Sequence, residues 1–146
     1  MKKKYSFSRT SIKRLSTCEK KIQKVFELAI KRTEIDFGIA CGERSVSEQQ
    51  QLYAQGRTGP GPIVTYVDGI NKKSEHNYSP SRAVDIYAFV DGKATWNEKY
   101  LIYLGGVITA CAIQLGVSLT WGGNWDNDGI IINDQNFQDL PHYQLK

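Results

Sequence analysis

Apolar positions along the chain fall into two periods. Ile22, Val25, Phe26, Ala29 and Ile30 recur at offsets of 0, 3, 4, 7 and 8, one face of an α-helix, and the spacing predicts a helix over residues 18–32. Ser16 with Glu19 is the candidate capping box at its start. A short strand over residues 36–41 ends at Gly42, and Ser45 or Ser47 then caps a helix over residues 48–55 that Gly56 stops. Residues 56–62, rich in Gly and Pro, are a loop, and residues 63–67 read as a strand. The run AVDIYAFV at residues 83–90 is the strongest strand, with Asp91-Gly92 as its turn. Thr95 with Glu98 boxes the start of a long apolar helix, which Gly116 ends. The tail reads as strands at residues 118–121, 130–132 and 142–145, with a turn at residues 126–129. Helices and strands joined by hairpin-length connections predict an α+β domain: a small antiparallel sheet packed with helices.

Composition narrows this further. A chain of 146 residues holds one complete core and is too short for two ordinary ones, so residues 1–146 read as a single domain. Three cysteines, Cys18, Cys41 and Cys111, form no CxxC pair, which excludes disulfide frameworks and zinc ribbons. Cys111, in the apolar helix, reads as a small core residue. Residues 101–119 carry no charge, but Gly105, Gly106, Gln114 and Gly116 and the lack of basic flanks favour a buried helix over a transmembrane segment. Lys2 to Lys4 precede a polar stretch with no apolar core of a signal peptide, so the expected site of synthesis is the cytoplasm. The charge is uneven. Residues 1–33 hold eleven Lys and Arg against Glu19 and Glu27, a balance of +9, and the remaining eight bases and thirteen acids give −5, summing to +4. Such a basic face either meets an anionic partner or is a well-solvated helix.

The chemistry-bearing residues are few. His76 and His142 are the two histidines, each near a carboxylate. Asp85 sits within an apolar strand, where a carboxylate is costly to bury unless it is paired or bound to a metal. Asp139 precedes His142 by three residues. Two imidazoles and one carboxylate make a three-ligand zinc site with an open fourth position, and the second carboxylate is then available to take a proton from water. Two distant pairs are a weaker signal than a single helical motif, and structural histidines are the competing account. Asp126, Asp128 and Asp134 are an incomplete calcium pattern, better read as a polar turn.

The string Ser74-x-His76 followed by Ala83-Val84-Asp85, with Asp139-x-x-His142 near the end, resembles the zinc peptidases that include the VanY-type D-Ala-D-Ala carboxypeptidases and the L-alanyl-D-glutamate endopeptidases of bacteriophage endolysins. Gly42-Glu43-Arg44-Ser45, Leu52-Tyr53, Gly56-Arg57-Thr58 and Trp121-Gly122-Gly123-x-Trp125 extend the similarity over residues 8–145. Two departures stand out. The interval from His76 to Asp85 is nine residues where the family usually has seven, and Gln144 replaces an acid two residues after the last histidine.

The resemblance implies a DD-peptidase/hedgehog-like fold with one Zn²⁺ per chain, held by His76, Asp85 and His142, and Asp139 as general base. Arg44, Ser74 and Trp121 would then meet substrate. It implies a peptidoglycan stem-peptide peptidase, most readily an L-alanyl-D-glutamate endopeptidase acting as a phage or prophage endolysin. The expected protein is a monomer with no nucleic-acid partner and no transmembrane segment, reaching the wall after the host membrane is permeabilised. A D-Ala-D-Ala carboxypeptidase is the rival within the family. The rival outside it is a non-catalytic binding module, against which the intact His76, Asp139 and His142 argue.

Overall fold

The structure is a computed structural model that describes residues 5–126 and 139–146. Helices α1 (Arg9–Leu15) and α2 (Lys20–Arg32) lead into strand β1 (Phe37–Cys41) and helix α3 (Val46–Ala54). A 3-10 turn (Glu75–Asn77) precedes the hairpin of β2 (Ala83–Val90) and β3 (Lys93–Thr95), then helix α4 (Glu98–Leu115) and strands β4 (Leu119–Trp121) and β5 (His142–Leu145). The antiparallel sheet runs β1-β2-β5-β4, and β3 pairs with the far end of β2. The α+β architecture expected from the sequence is the one formed.

One face of the sheet packs on α2 and α4. On α2 the stripe read from the sequence is buried without exception, from Ile22 to Ile30. Each such side chain contributes roughly 1.5–3 kcal/mol on leaving water. On α4 the buried positions are Leu101, Leu104, Gly105, Ile108, Cys111 and Ala112, again one helical face. Gly105 is there for clearance, since a Cβ at that position would run into the indole of Trp121. Gly116, at φ 70°, ends the helix in the left-handed conformation that favours glycine. No helix among the described residues is long and apolar enough to cross a membrane.

Strand alternation sorts β2 and β5 into two faces. Val84, Ile86 and Ala88 enter the core, as do Tyr143 and Leu145. Asp85, His142 and Gln144 therefore lie on the opposite face. The register pairs Asp85 directly with His142. A carboxylate within an apolar strand is thus accommodated by facing away from the apolar layer.

Several local expectations differ from what forms. Residues 63–67 join no sheet: Ile63, Val64 and Tyr66 are exposed, and the segment is tied down by side chains instead of a strand ladder. The Ser16–Glu19 box does not form, because Ser16 closes the unanticipated helix α1 and Glu19 caps α2 without a side-chain bond. Helix α1 buries only Ser11 and Leu15, too few positions to leave a periodic signal. Asn97, not Thr95 with Glu98, caps α4. Ser45 does cap α3, with the reciprocal Glu48 bond of a capping box. The expected strand at residues 130–132 and all but the start of the turn at 126–129 lie outside the described residues.

Candidate metal centre

Each member of the site is fixed by local bonding. Ser74 caps the 3-10 turn, its hydroxyl accepting from the His76 amide at 3.2 Å. The Asn77 side chain accepts from the Ser74 amide and donates to the Arg44 carbonyl. The Arg44 amide in turn donates to the His76 carbonyl at 2.8 Å, so the loops that carry Arg44 and His76 are cross-linked. The nine-residue interval to Asp85 is closed by Arg82, whose side chain meets the Glu75 carboxylate at 2.8 Å and whose amide meets the Glu75 carbonyl.

Three atoms converge at the centre. His76 Nε2 lies 3.3 Å from Asp85 Oδ1 and 3.3 Å from His142 Nδ1, and His142 Nδ1 lies 2.9 Å from Asp85 Oδ1. Tetrahedral coordination through bonds of about 2.0–2.1 Å separates ligand atoms by about 3.3 Å, so this spacing fits a small divalent cation. The far ring nitrogens support the same conclusion. His76 Nδ1 faces the Gly42 carbonyl at 2.7 Å, and His142 Nε2 faces Gln144 Oε1 at 2.8 Å. Acceptors at those positions place the N–H protons there and turn the lone pairs of His76 Nε2 and His142 Nδ1 toward the centre. Gln144 thus supplies by its amide oxygen the orienting contact that the family's usual acid would give.

The electrostatics favour positive charge at this point. Burial opposes protonation of His76, but the charge and hydrogen bond of Asp85 outweigh it and hold the imidazolium up to about 10. Burial likewise raises the Asp85 carboxyl, and the two histidines reverse this and hold it well below the usual carboxylate range. The negative charge that favours a proton here would favour a cation in its place, which on binding displaces that proton.

These groups lie in a cleft of about 620 Å³, whose lining includes Arg44, Ser74, His76, Asp85, Asp139 and His142. Asp139 follows the Gly122 turn, its amide donating to the Gly122 carbonyl and its own carbonyl accepting from the His142 amide. Any side chain at position 122 would collide with Asp139, which accounts for that glycine. Burial, and then the charge of Asp85, push the Asp139 carboxyl up to about 6. Among the described residues nothing donates a hydrogen bond to this carboxylate. Arg44 reaches Asp85 Oδ2 at 3.3 Å and Gln49 Oε1 at 2.8 Å.

Of the expected site residues, Trp121 alone is not brought to the cleft. It is buried in the core, donating from Nε1 to the Leu140 carbonyl at 2.7 Å, against the Gly105 face of α4. Trp125 lines the cleft in its place, its ring 5.5 Å from that of His142. Gly122 and Gly123 lie between the two tryptophans, and the sequence alone does not tell which ring meets the cleft. No role was expected for Gln49. It is fully buried on α3, holding Arg44 with its oxygen and the Val67 carbonyl with its nitrogen at 2.8 Å. The available signal was the pair Glu48-Gln49, which also resembles the family pattern. Of the calcium pattern, Asp128 and Asp134 lie outside the described residues.

The chain matches the family model described as phage L-alanyl-D-glutamate peptidase over residues 3–146. It is 35% identical over 115 residues to the peptidoglycan L-alanyl-D-glutamate endopeptidase CwlK of Bacillus subtilis (strain 168), a match covering 76% of this chain and 61% of that protein. It is 25% identical over 126 residues to the L-alanyl-D-glutamate peptidase of Escherichia phage T5, covering 86% of this chain and 85% of the relative. The fold is similar to that of the Serratia marcescens L-Ala D-Glu endopeptidase ChiX, with a TM-score of 0.71, 22% identity, and coverage of 97% of this chain and 90% of that one.

Proposed function

The chain belongs to the phage L-alanyl-D-glutamate peptidase family, and from that membership we propose that it is a zinc-dependent endopeptidase that hydrolyses the L-alanyl–D-glutamate bond of peptidoglycan stem peptides. The observation that carries the reading is the triad of His76, Asp85 and His142 in one cleft with Asp139. Two imidazoles and a carboxylate are a donor set suited to Zn²⁺. His76, Asp85 and His142 would hold the ion, which would supply Lewis acidity toward the peptide carbonyl and ease deprotonation of water.

The chain's own residues do the rest. Asp139, raised to about 6, is ionised at neutral pH and still basic enough to accept the proton of the attacking water, which it returns to the leaving amine. Arg44, held between Gln49 and Asp85, keeps positive charge beside the reacting carbonyl as its oxygen becomes anionic. Ser74 braces the turn that presents His76. The phage relative supports a role in host lysis, as an endolysin that reaches the wall once the membrane is permeabilised. We place the protein there as a monomer with one zinc per chain.

Mass spectrometry of muropeptides from digested sacculi tests the bond. The expected products are stem peptides beginning with D-Glu and glycan bearing only L-Ala. Release of terminal D-Ala instead would assign the carboxypeptidase activity and overturn the proposal. Elemental analysis of protein purified without added metal tests the cofactor.

A further inference from the structure

The cleft carries a cationic element that the metal centre does not use. Residues 68–73 read Asp-Gly-Ile-Asn-Lys-Lys. Asp68 Oδ1 accepts from the amides of Ile70 at 2.9 Å, Asn71 at 2.8 Å and Lys72 at 3.3 Å, and Oδ2 accepts from the Asn71 side chain at 2.8 Å. The Gly69 amide closes the turn onto the Lys72 carbonyl at 2.9 Å. Gly69, at φ 85°, lies against Gln49, the side chain that holds Arg44. The turn is therefore closed on itself and seated on the site's own scaffold. It delivers Lys72 and Lys73 to the cleft wall immediately before Ser74 and the His76 turn.

Charge pairing sets these lysines apart from Arg44 and Glu75 of the same cleft. Arg44 is engaged by Asp85 and Gln49, and Glu75 by Arg82. Among the described residues neither lysine has a carboxylate within ion-pair distance, and Lys73 Nζ rests 5.1 Å from the centre of the Tyr78 ring. Two unpaired ammonium groups beside a peptidase centre suit an anionic group on the substrate. A glutamyl residue within a peptide uses its nitrogen and only one of its two carboxyls. The other remains an anion within a few bonds of the scissile nitrogen, unless it is amidated.

We propose that Lys72 and Lys73 form a carboxylate subsite that takes the free carboxylate of the glutamyl residue on the leaving side of the scissile bond. This rests on the L-alanyl–D-glutamate assignment above. Both side chains are exposed, so each ion pair is modest, and the pair together favours the acid over its carboxamide by about three- to tenfold.

The test uses two soluble stem peptides that differ only at that carboxyl, free acid and carboxamide, with the zinc-loaded protein. The readout is the ratio of their kcat/KM values, repeated as a ratio of affinities with the inert Asp139→Asn protein. Wild type should prefer the acid, the preference should shrink as salt rises, and K72Q/K73Q should bring the ratio to about one. K72R/K73R should restore it. A wild type with no preference, or a preference unchanged in K72Q/K73Q, overturns the subsite. Failure of the zinc-loaded wild type to cut either peptide between Ala and Glu overturns the bond assignment and the subsite with it. That result is distinct, because in the other cases wild type still cleaves.

Discussion

Asp139 owes its basicity to its surroundings, and that gives its substitution a specific signature. Burial and the nearby Asp85 charge raise its carboxyl to about 6, while a cation held by the triad lowers it. As the proposed general base, Asp139 acts only when ionised, so kcat/KM should fall with acid along a limb between the ordinary carboxylate range and about 6. A pH profile measures it, and a limb well above 6 would point to another group. Asp139→Asn should lose about two orders of magnitude or more in turnover while keeping its zinc, since an amide accepts no proton. His142→Ala should lose both metal and activity. Loss of metal from Asp139→Asn would make Asp139 a ligand. Gln49 acts one step back, through Arg44. Gln49→Leu leaves the half-buried Val67 carbonyl and an Arg44 nitrogen without their Gln49 partner, at up to about 1–3 kcal/mol each. Gln49→Glu keeps the acceptor for Arg44. Kinetics should therefore show the Leu variant falling at least about tenfold further in kcat/KM than the Glu variant; equal loss would give Gln49 a purely structural role.

Element by element, α4 shows how neighbouring positions of identical residue type answer to different constraints. Gly105 faces Trp121 at contact distance, whereas nothing lies near a Cβ built on Gly106. Gly106→Ala should stabilise the protein by up to about 1 kcal/mol through helix propensity. Gly105→Ala gains the same propensity but must displace the indole, and overpacking costs about 1–3 kcal/mol. Its net effect should be neutral to destabilising. Urea denaturation of the two variants reads the difference, and equal stabilisation by both would show that the Trp121 packing yields readily. The site depends on this contact, since Trp121 anchors the Leu140 carbonyl two residues before His142.

Across the whole molecule, the sheet separates a basic side from a chemical side. Lys20, Lys24 and Lys31 are exposed on α2, which packs on the core face, and none of them lines the cleft of His76, Asp85 and His142 on the other face. Anionic groups of wall and membrane should attract this surface over about 8–10 Å, subject to salt screening. Replacing the three lysines with Gln should weaken co-sedimentation with sacculi at low salt and leave hydrolysis of a small muropeptide nearly unchanged. Equal sedimentation at every salt concentration would mean that the charge only solvates a helix.

The sequence alone determined the elements whose residues share one environment along their length. The α2 stripe and the β2 run were legible because burial repeats with the backbone period. The cluster of His76, Asp85 and His142 was legible because just two histidines exist, each in a motif beside a carboxylate. Residues 63–67 carry the same apolar character as a strand, but the ladder partners that make a strand come from elsewhere in the chain, and none is supplied. Only the tertiary structure decided which tryptophan meets the cleft, that Gln49 holds Arg44, and that the turn before Lys72 and Lys73 sits against Gln49 and brings both to the cleft wall. Each of those facts depends on how separate elements and loops settle against one another, not on the period of any one of them. Local pattern encodes which face of an element is apolar; it does not encode what the other face meets.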